Sequence, residues 1–122
     1  MMYKIYFYKD SRGRQPIKEY LIELASKKDK DSRIKLKKIH EYLEVLESNG
    51  TRAGVPYVKR LDDKIYELRP LADRILFAAW VGNRFILLHH FVKKTQKTPP
   101  REIEQARRNL KAFLEREDSD EE

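Results

Sequence analysis

A chain of 122 residues can enclose one hydrophobic core but not two, and an apolar fraction of 40% argues against wholesale disorder. The net charge of +7 understates the basic body, because Glu115–Glu122 holds six acids and one arginine and residues 1–114 stand at +12; the partners this favours are nucleic acid, an anionic membrane or an acidic protein, against a merely well-solvated surface. The lack of cysteine excludes disulfides and thiolate metal sites, the start is too polar for a signal peptide, and no apolar run approaches the roughly 20 residues of a bilayer span, so the expectation is a soluble cytoplasmic protein with no membrane partner.

Met2–Tyr8 alternates aromatic and β-branched residues with polar ones and reads as a strand. From Pro16 the residues Ile17, Tyr20, Leu21, Leu24 and Ala25 fall at helical spacing, with proline where a first helical turn accepts it. After the charged Lys27–Asp31 link, Ser32 or Asp31 is the expected cap of a second helix with the stripe Leu36, Ile39, Leu43 and Leu46, ending at Asn49-Gly50. Three strands follow: Tyr57–Arg60 joined through Asp62-Asp63 to Lys64–Arg69, then Arg74–Val81 and Arg84–Val92. Thr98-Pro99-Pro100 opens a last helix, with Thr98 as cap and Ile103, Ala106, Leu110, Phe113 and Leu114 on its buried side. Residues 115–122 lack an apolar anchor and are expected to be an acidic, disordered tail on a single domain of residues 1–114. The predicted order is β-α-α-β-β-β-α, an α+β fold whose antiparallel-dominated sheet carries helices on one face and keeps the other for a ligand.

Strand parity sorts the polar groups. Glu67 and Arg69 share a side with Ile65, and His89, Phe91 and Lys93 share a side opposite His90, Val92 and Lys94. Arg74 can approach Arg69 across the turn around Leu71–Asp73, and such a pair presents fixed donors to a phosphate, unless Glu67 and Arg69 form only a cross-strand ion pair. His89 and His90 are adjacent and point to opposite faces, with no carboxylate cluster at ligand spacing, so no metal and no cofactor are expected. No serine sits beside a histidine and the four glycines are scattered, which argues against a nucleophilic triad or a phosphate loop. What remains is metal-free cleavage of RNA, in which a 2′-hydroxyl attacks its own phosphate. Histidine or a lysine crowded by Lys93, Lys94 and Lys97 is a candidate base, and Tyr57, Phe91 or Trp80 are candidate base-stacking aromatics.

Lys59-x-Leu61, Ile65-Tyr66-Glu67-Leu68-Arg69, Asp73-Arg74-Ile75-Leu76-Phe77 and the run Leu87–Pro99, LLHHFVKKTQKTP, taken in order, resemble the RelE/ParE superfamily of toxins, and within it the HigB-like, phage-derived branch. The resemblance implies a RelE-like fold and an endoribonuclease that cuts messenger RNA, usually at the ribosome, without metal. It implies neutralisation by a HigA-like helix-turn-helix antitoxin, with operator DNA reached only through the complex. By position it matches Arg69 and Arg74 to the phosphate-handling arginines, Lys59 to the basic strand before them, and Lys93 and Lys94 to the basic residues that close the last strand. The expected catalytic residues are then Arg69, Arg74, His89, Lys93 and Lys94, and the expected RNA-binding residues Lys59, Arg60, Phe91 and Lys97. No tyrosine follows the last strand where some relatives carry one, and His89 is the substitute. Two alternatives share the fold or the charge: a gyrase-poisoning relative that binds protein without cleaving, and a non-catalytic RNA-binding module.

Overall fold

The computed structural model describes residues 2–120. Strand β1 (Lys4–Phe7) leads to a helical hairpin, α1 (Pro16–Ser26) and α2 (Lys30–Asn49). A 3-10 turn over Gly50–Ala53 follows, then β2 (Val58–Arg60), β3 (Tyr66–Leu68), β4 (Asp73–Trp80), β5 (Arg84–Val92) and α3 (Pro100–Asp120). The sheet order is β1-β5-β4-β3-β2, antiparallel except for β1, which runs parallel to β5 at one edge. The α+β class therefore stands. The predicted Tyr57–Arg69 element is two strands, because the Asp62 carboxylate accepts from the Lys64 and Ile65 amides at 2.9 and 2.7 Å and turns the chain back.

The expectation of an open sheet face is corrected. Ile17, Leu24, Ile39 and Leu46 of the hairpin pack with Val58, Leu68, Ile75, Phe77, Phe85 and Leu87 on one face. On the other, Ala106 and Leu110 of α3 pack with Ile65, Leu76, Ala78, Ile86 and Leu88. Burying a Leu or Ile side chain contributes roughly 1.5–3 kcal/mol, and α3 gains this only by lying on the strands. The face left for a ligand is the strip beyond the start of α3.

Three helix ends differ from expectation. Asp29, not Ser32 or Asp31, caps α2: its carboxylate accepts from the Ser32 amide at 2.9 Å and the Ser32 hydroxyl at 2.8 Å. The Thr98 hydroxyl does not cap α3 but is drawn to a buried carboxylate described below. Past Leu114 α3 continues to Asp120, where a disordered tail is expected, and Arg116 donates to the Lys9 carbonyl and lies 5.5 Å over the Tyr8 ring; residues 121–122 of that tail lie outside the described residues. No helix among the described residues is long and apolar enough to cross a membrane.

Gly50 ends α2 at φ 60°, ψ −151°, a conformation essentially restricted to glycine, and a Cβ there would sit 2.8 Å from the Tyr3 ring. Gly50→Ala should therefore lower unfolding free energy on the order of 3 kcal/mol in a urea titration. An unchanged midpoint would show that the turn can re-form without this backbone.

Strands β4 and β5 carry one irregularity. Phe77 faces Leu87 and Leu76 faces His89, so Leu88 is an extra residue, a bulge in the ladder. Beyond it His89 shares the α3 face with Leu76, and His90 lies opposite Ile75 on the hairpin face.

Candidate functional site

The centre of the site is Glu67, whose side chain is 1% exposed on β3. A lone carboxylate there needs cations and donors. Arg69 Nε lies 3.3 Å and Arg74 Nε 3.9 Å from its Oε1, and the Thr98 hydroxyl donates to Oε2 at 2.5 Å. The two arginines thus converge, but on this carboxylate. Arg69 retains 28% of its side-chain exposure, and its buried Nε has no aligned hydrogen-bond partner despite the short ion-pair distance. Arg74 is only 6% exposed in its side chain, and its Nη1 donates to the carbonyls of Leu71 and Asp73 at 2.6 and 2.8 Å. Burial, aided by the repulsion of Arg69, lowers the Arg74 pKa against the opposing pull of Glu67 and Asp73, yet a guanidinium stays charged at any working pH.

Register places the other predicted residues. Lys59 on β2 is exposed and stands directly opposite Glu67. Arg60 is turned to the β2–β3 link, where its guanidinium donates to the carbonyls of Asp62 and Asp63 at 2.8 and 3.4 Å. Phe91 is the cross-strand neighbour of Arg74. His89 Nε2 lies 2.8 Å from Glu102 Oε1 of α3, and its ring lies 6.1 Å from Phe91. Glu67, Leu76 and His89 are successive partners across three strands, so the backbones of the carboxylate and the histidine are about 10 Å apart, two strand spacings. The Lys93 amide donates to the Ala72 carbonyl at 2.8 Å, tying the end of β5 to the turn before Arg74.

Beside this strip opens a cleft of about 410 Å³ whose walls include Phe91, Lys94, Lys97, Thr98, Arg101 and Glu102. Thr98 belongs to both the cleft and the Glu67 cluster, and so links the cations of the β5–α3 segment to the carboxylate that holds Arg69 and Arg74. Of the stacking candidates only Phe91 lies there. Tyr57 packs edge-on to Tyr42 at 4.9 Å, and Trp80 sits between Tyr6 and Phe113 at 5.4 and 4.9 Å. Sequence reasoning treated Glu67 only as an arginine partner and missed Thr98, Arg101 and Glu102; a single acid inside the apolar run of β3 was the available signal. Among the described residues no group of three His, Asp or Glu side chains is placed to hold a metal.

A second polar cluster lies on the hairpin face. Asp73 is fully buried; Tyr20 Oη donates to its Oδ1 at 2.8 Å, His90 Nε2 lies 2.8 Å and Lys35 Nζ 3.8 Å from the same oxygen. Burial pushes the Asp73 carboxyl up, but His90, Tyr20 and Lys35 outweigh it and hold the pKa below the usual carboxylate value. The stabilisation is complete above the unfolded value, about 3.9, and is lost as the pH falls through the lower folded value. The advantage of wild type over Asp73→Asn in urea titrations should therefore be constant at pH 5–7 and shrink below about pH 4. A difference that persists unchanged at low pH would mean that the charge of Asp73 is not what the fold uses.

The model of the phage-derived protein Gp49-like (DUF891) family matches residues 20–111, which takes in most of the hairpin, β2 through β5 and the first half of α3. The chain belongs to this family. The Gp49-like family is related to the RelE and HigB-like toxins, in keeping with the order of elements. A search of curated proteins gave no match. The matched segment of this Gp49-like chain contains Glu67, both arginines, both strand histidines and the Lys93–Thr98 run.

Proposed function

We propose that this Gp49-like protein is the toxin of a type II toxin–antitoxin pair, an endoribonuclease that acts in the cytoplasm on messenger RNA, with the ribosome as its setting. The observation that carries the reading is a buried carboxylate held between two arginines and joined through Thr98 to a cation-lined cleft. Lys94, Lys97 and Arg101 attract the RNA backbone, and Phe91 offers a half-buried ring to a base. In the reaction the 2′-hydroxyl takes the place of the Thr98 hydroxyl on Glu67 Oε2, and Glu67, covered until then, accepts its proton. The 2′-oxygen forms a bond to phosphorus as the bond to the 5′-oxygen breaks. His89, steered by Glu102, returns a proton to the departing oxygen. Arg69 and Arg74 face the charge that builds on the pentavalent phosphorus. The products are a 2′,3′-cyclic phosphate and a free 5′-hydroxyl. A HigA-like helix-turn-helix antitoxin would neutralise this basic surface and carry the pair to operator DNA.

Incubation of end-labelled messenger RNA with the purified protein, with and without ribosomes and in excess chelator, tests this. Cleavage that leaves a cyclic phosphate and survives chelation is expected. Growth arrest without RNA cleavage under any of these conditions would replace the nuclease by a protein-binding toxin.

A further inference from the structure

Asp73 and Arg74 are consecutive on β4, so their side chains leave the sheet on opposite faces. Asp73 is held on the hairpin face by groups from three other elements: Tyr20 of α1, Lys35 of α2 and His90 of β5. The grip is tight. The Tyr20 ring stacks on the His90 ring at 4.0 Å and 27°, Lys35 lies 5.7 Å over Tyr20, and the second carboxylate oxygen of Asp73 is buried without a partner. On the other face, Arg74 takes its orientation from the backbone of the same turn, through the carbonyls of Leu71 and of Asp73 itself. The turn stores strain, since Leu71 is a non-glycine residue at φ 56°, in the left-handed region that a side chain with a Cβ disfavours. It is held closed by the Asp73 amide on the Pro70 carbonyl at 3.1 Å and by the Lys93 amide on the Ala72 carbonyl at 2.8 Å.

We infer that the Tyr20–Lys35–Asp73–His90 cluster is a positioning device for Arg74, fixing through the Asp73 backbone where that guanidinium stands relative to a bound phosphate. The inference rests on the reading of Arg74 as a phosphate-handling residue, though the mechanical link exists without it. A strained turn with a left-handed leucine has other backbone states close in energy. Pinning the Asp73 carboxylate from the far face selects one of them. Displacement of the carbonyls by even a fraction of an ångström moves the donors they orient, and a misplacement near 1 Å can cost on the order of 100-fold in rate. The groups facing Asp73 are Lys35, His90 and Tyr20.

The test uses the full-length protein, with Tyr20→Phe, which keeps the ring over His90 and removes one donor, and Asp73→Asn. The readouts are the Arg74 Nε–Hε resonance in ¹⁵N spectra, assigned by its loss in Arg74→Lys, and kcat and KM on RNA. In Tyr20→Phe the Arg74 resonance is expected to shift, with kcat down on the order of tenfold and KM little changed. In Asp73→Asn the same resonance should shift further; should that variant fail to fold, Tyr20→Phe alone decides. Lower melting temperatures with the Arg74 resonance unmoved would reduce the cluster to packing and overturn the inference. If wild type cleaves no RNA, the resonance still decides the positioning, and only the nuclease reading falls.

Discussion

Replacing Arg74 with alanine is expected to lower RNA cleavage on the order of a hundredfold and also to weaken the fold, whereas Arg69→Ala should lower cleavage as much with a smaller loss of stability. The difference lies in burial. Arg74 is 6% exposed in its side chain, neutralises Glu67 and joins two turn carbonyls; its loss leaves a buried carboxylate half-compensated, a change that costs about 3–5 kcal/mol. Arg69 is the nearer cation to Glu67, at 3.3 Å, but it is more exposed and holds no aligned hydrogen bond through its Nε, so its removal takes charge from the phosphate and costs the fold less than the loss of Arg74. Fixed donors of this kind contribute on the order of 3 kcal/mol to a transition state, about a hundredfold in rate. Single-turnover cleavage by the folded fraction, with urea titrations of both variants, measures the two effects separately. Wild-type cleavage by Arg69→Ala would remove that residue from the chemistry, and an unchanged urea midpoint for Arg74→Ala would show that Glu67 is satisfied without it.

Glu67→Gln should give the second large effect. The amide keeps the shape, still accepts from Thr98 and cannot take a proton from a 2′-hydroxyl. Loss of a positioned base lowers the rate on the order of 10²–10⁴-fold. RNA affinity should be little changed, because the charge removed is buried beneath the surface that binds the polyanion. A loss confined to the rate separates a base from a mere spacer between arginines. A glutamine variant that cleaves within about twofold of wild type would assign the proton transfer to another group, with His89 first in line.

The helices, the strands from β2 to β5 and the pairing of Arg69 with Arg74 around the Leu71–Asp73 turn were legible because each depends on local spacing or on a short hairpin. The second covered face is legible too, in the unbroken apolar runs Ile75–Ala78 and Phe85–Leu88, the pattern of strands packed on both sides. Thr98 is a reasonable helix cap by type and position, and only the proximity of Glu67, 31 residues earlier, shows why its hydroxyl goes elsewhere. Arg60 likewise looks like a free cation in a basic strand until its guanidinium is seen closing the Asp62-Asp63 turn. Tyr20 and Asp73 are separated by 53 positions, and no periodicity links a tyrosine on a helix to an acid at the start of a distant strand.

The extra residue in β5 bears on how roles are carried between relatives. Counting by twos from Phe85 would put His89 with Leu87 on the hairpin side and His90 under α3; the surplus Leu88 reverses that assignment for everything after it. One inserted or deleted position near Leu88 would exchange the two neighbours between the proposed proton donor and the clasp on Asp73, while leaving the local composition almost unchanged. A column-by-column transfer of function across this strand is therefore only as sound as the placement of a single gap. A homologue with one fewer residue before its histidine pair should be compared by ladder partner, with the residue opposite Leu76 taken as the counterpart of His89 whatever its letter.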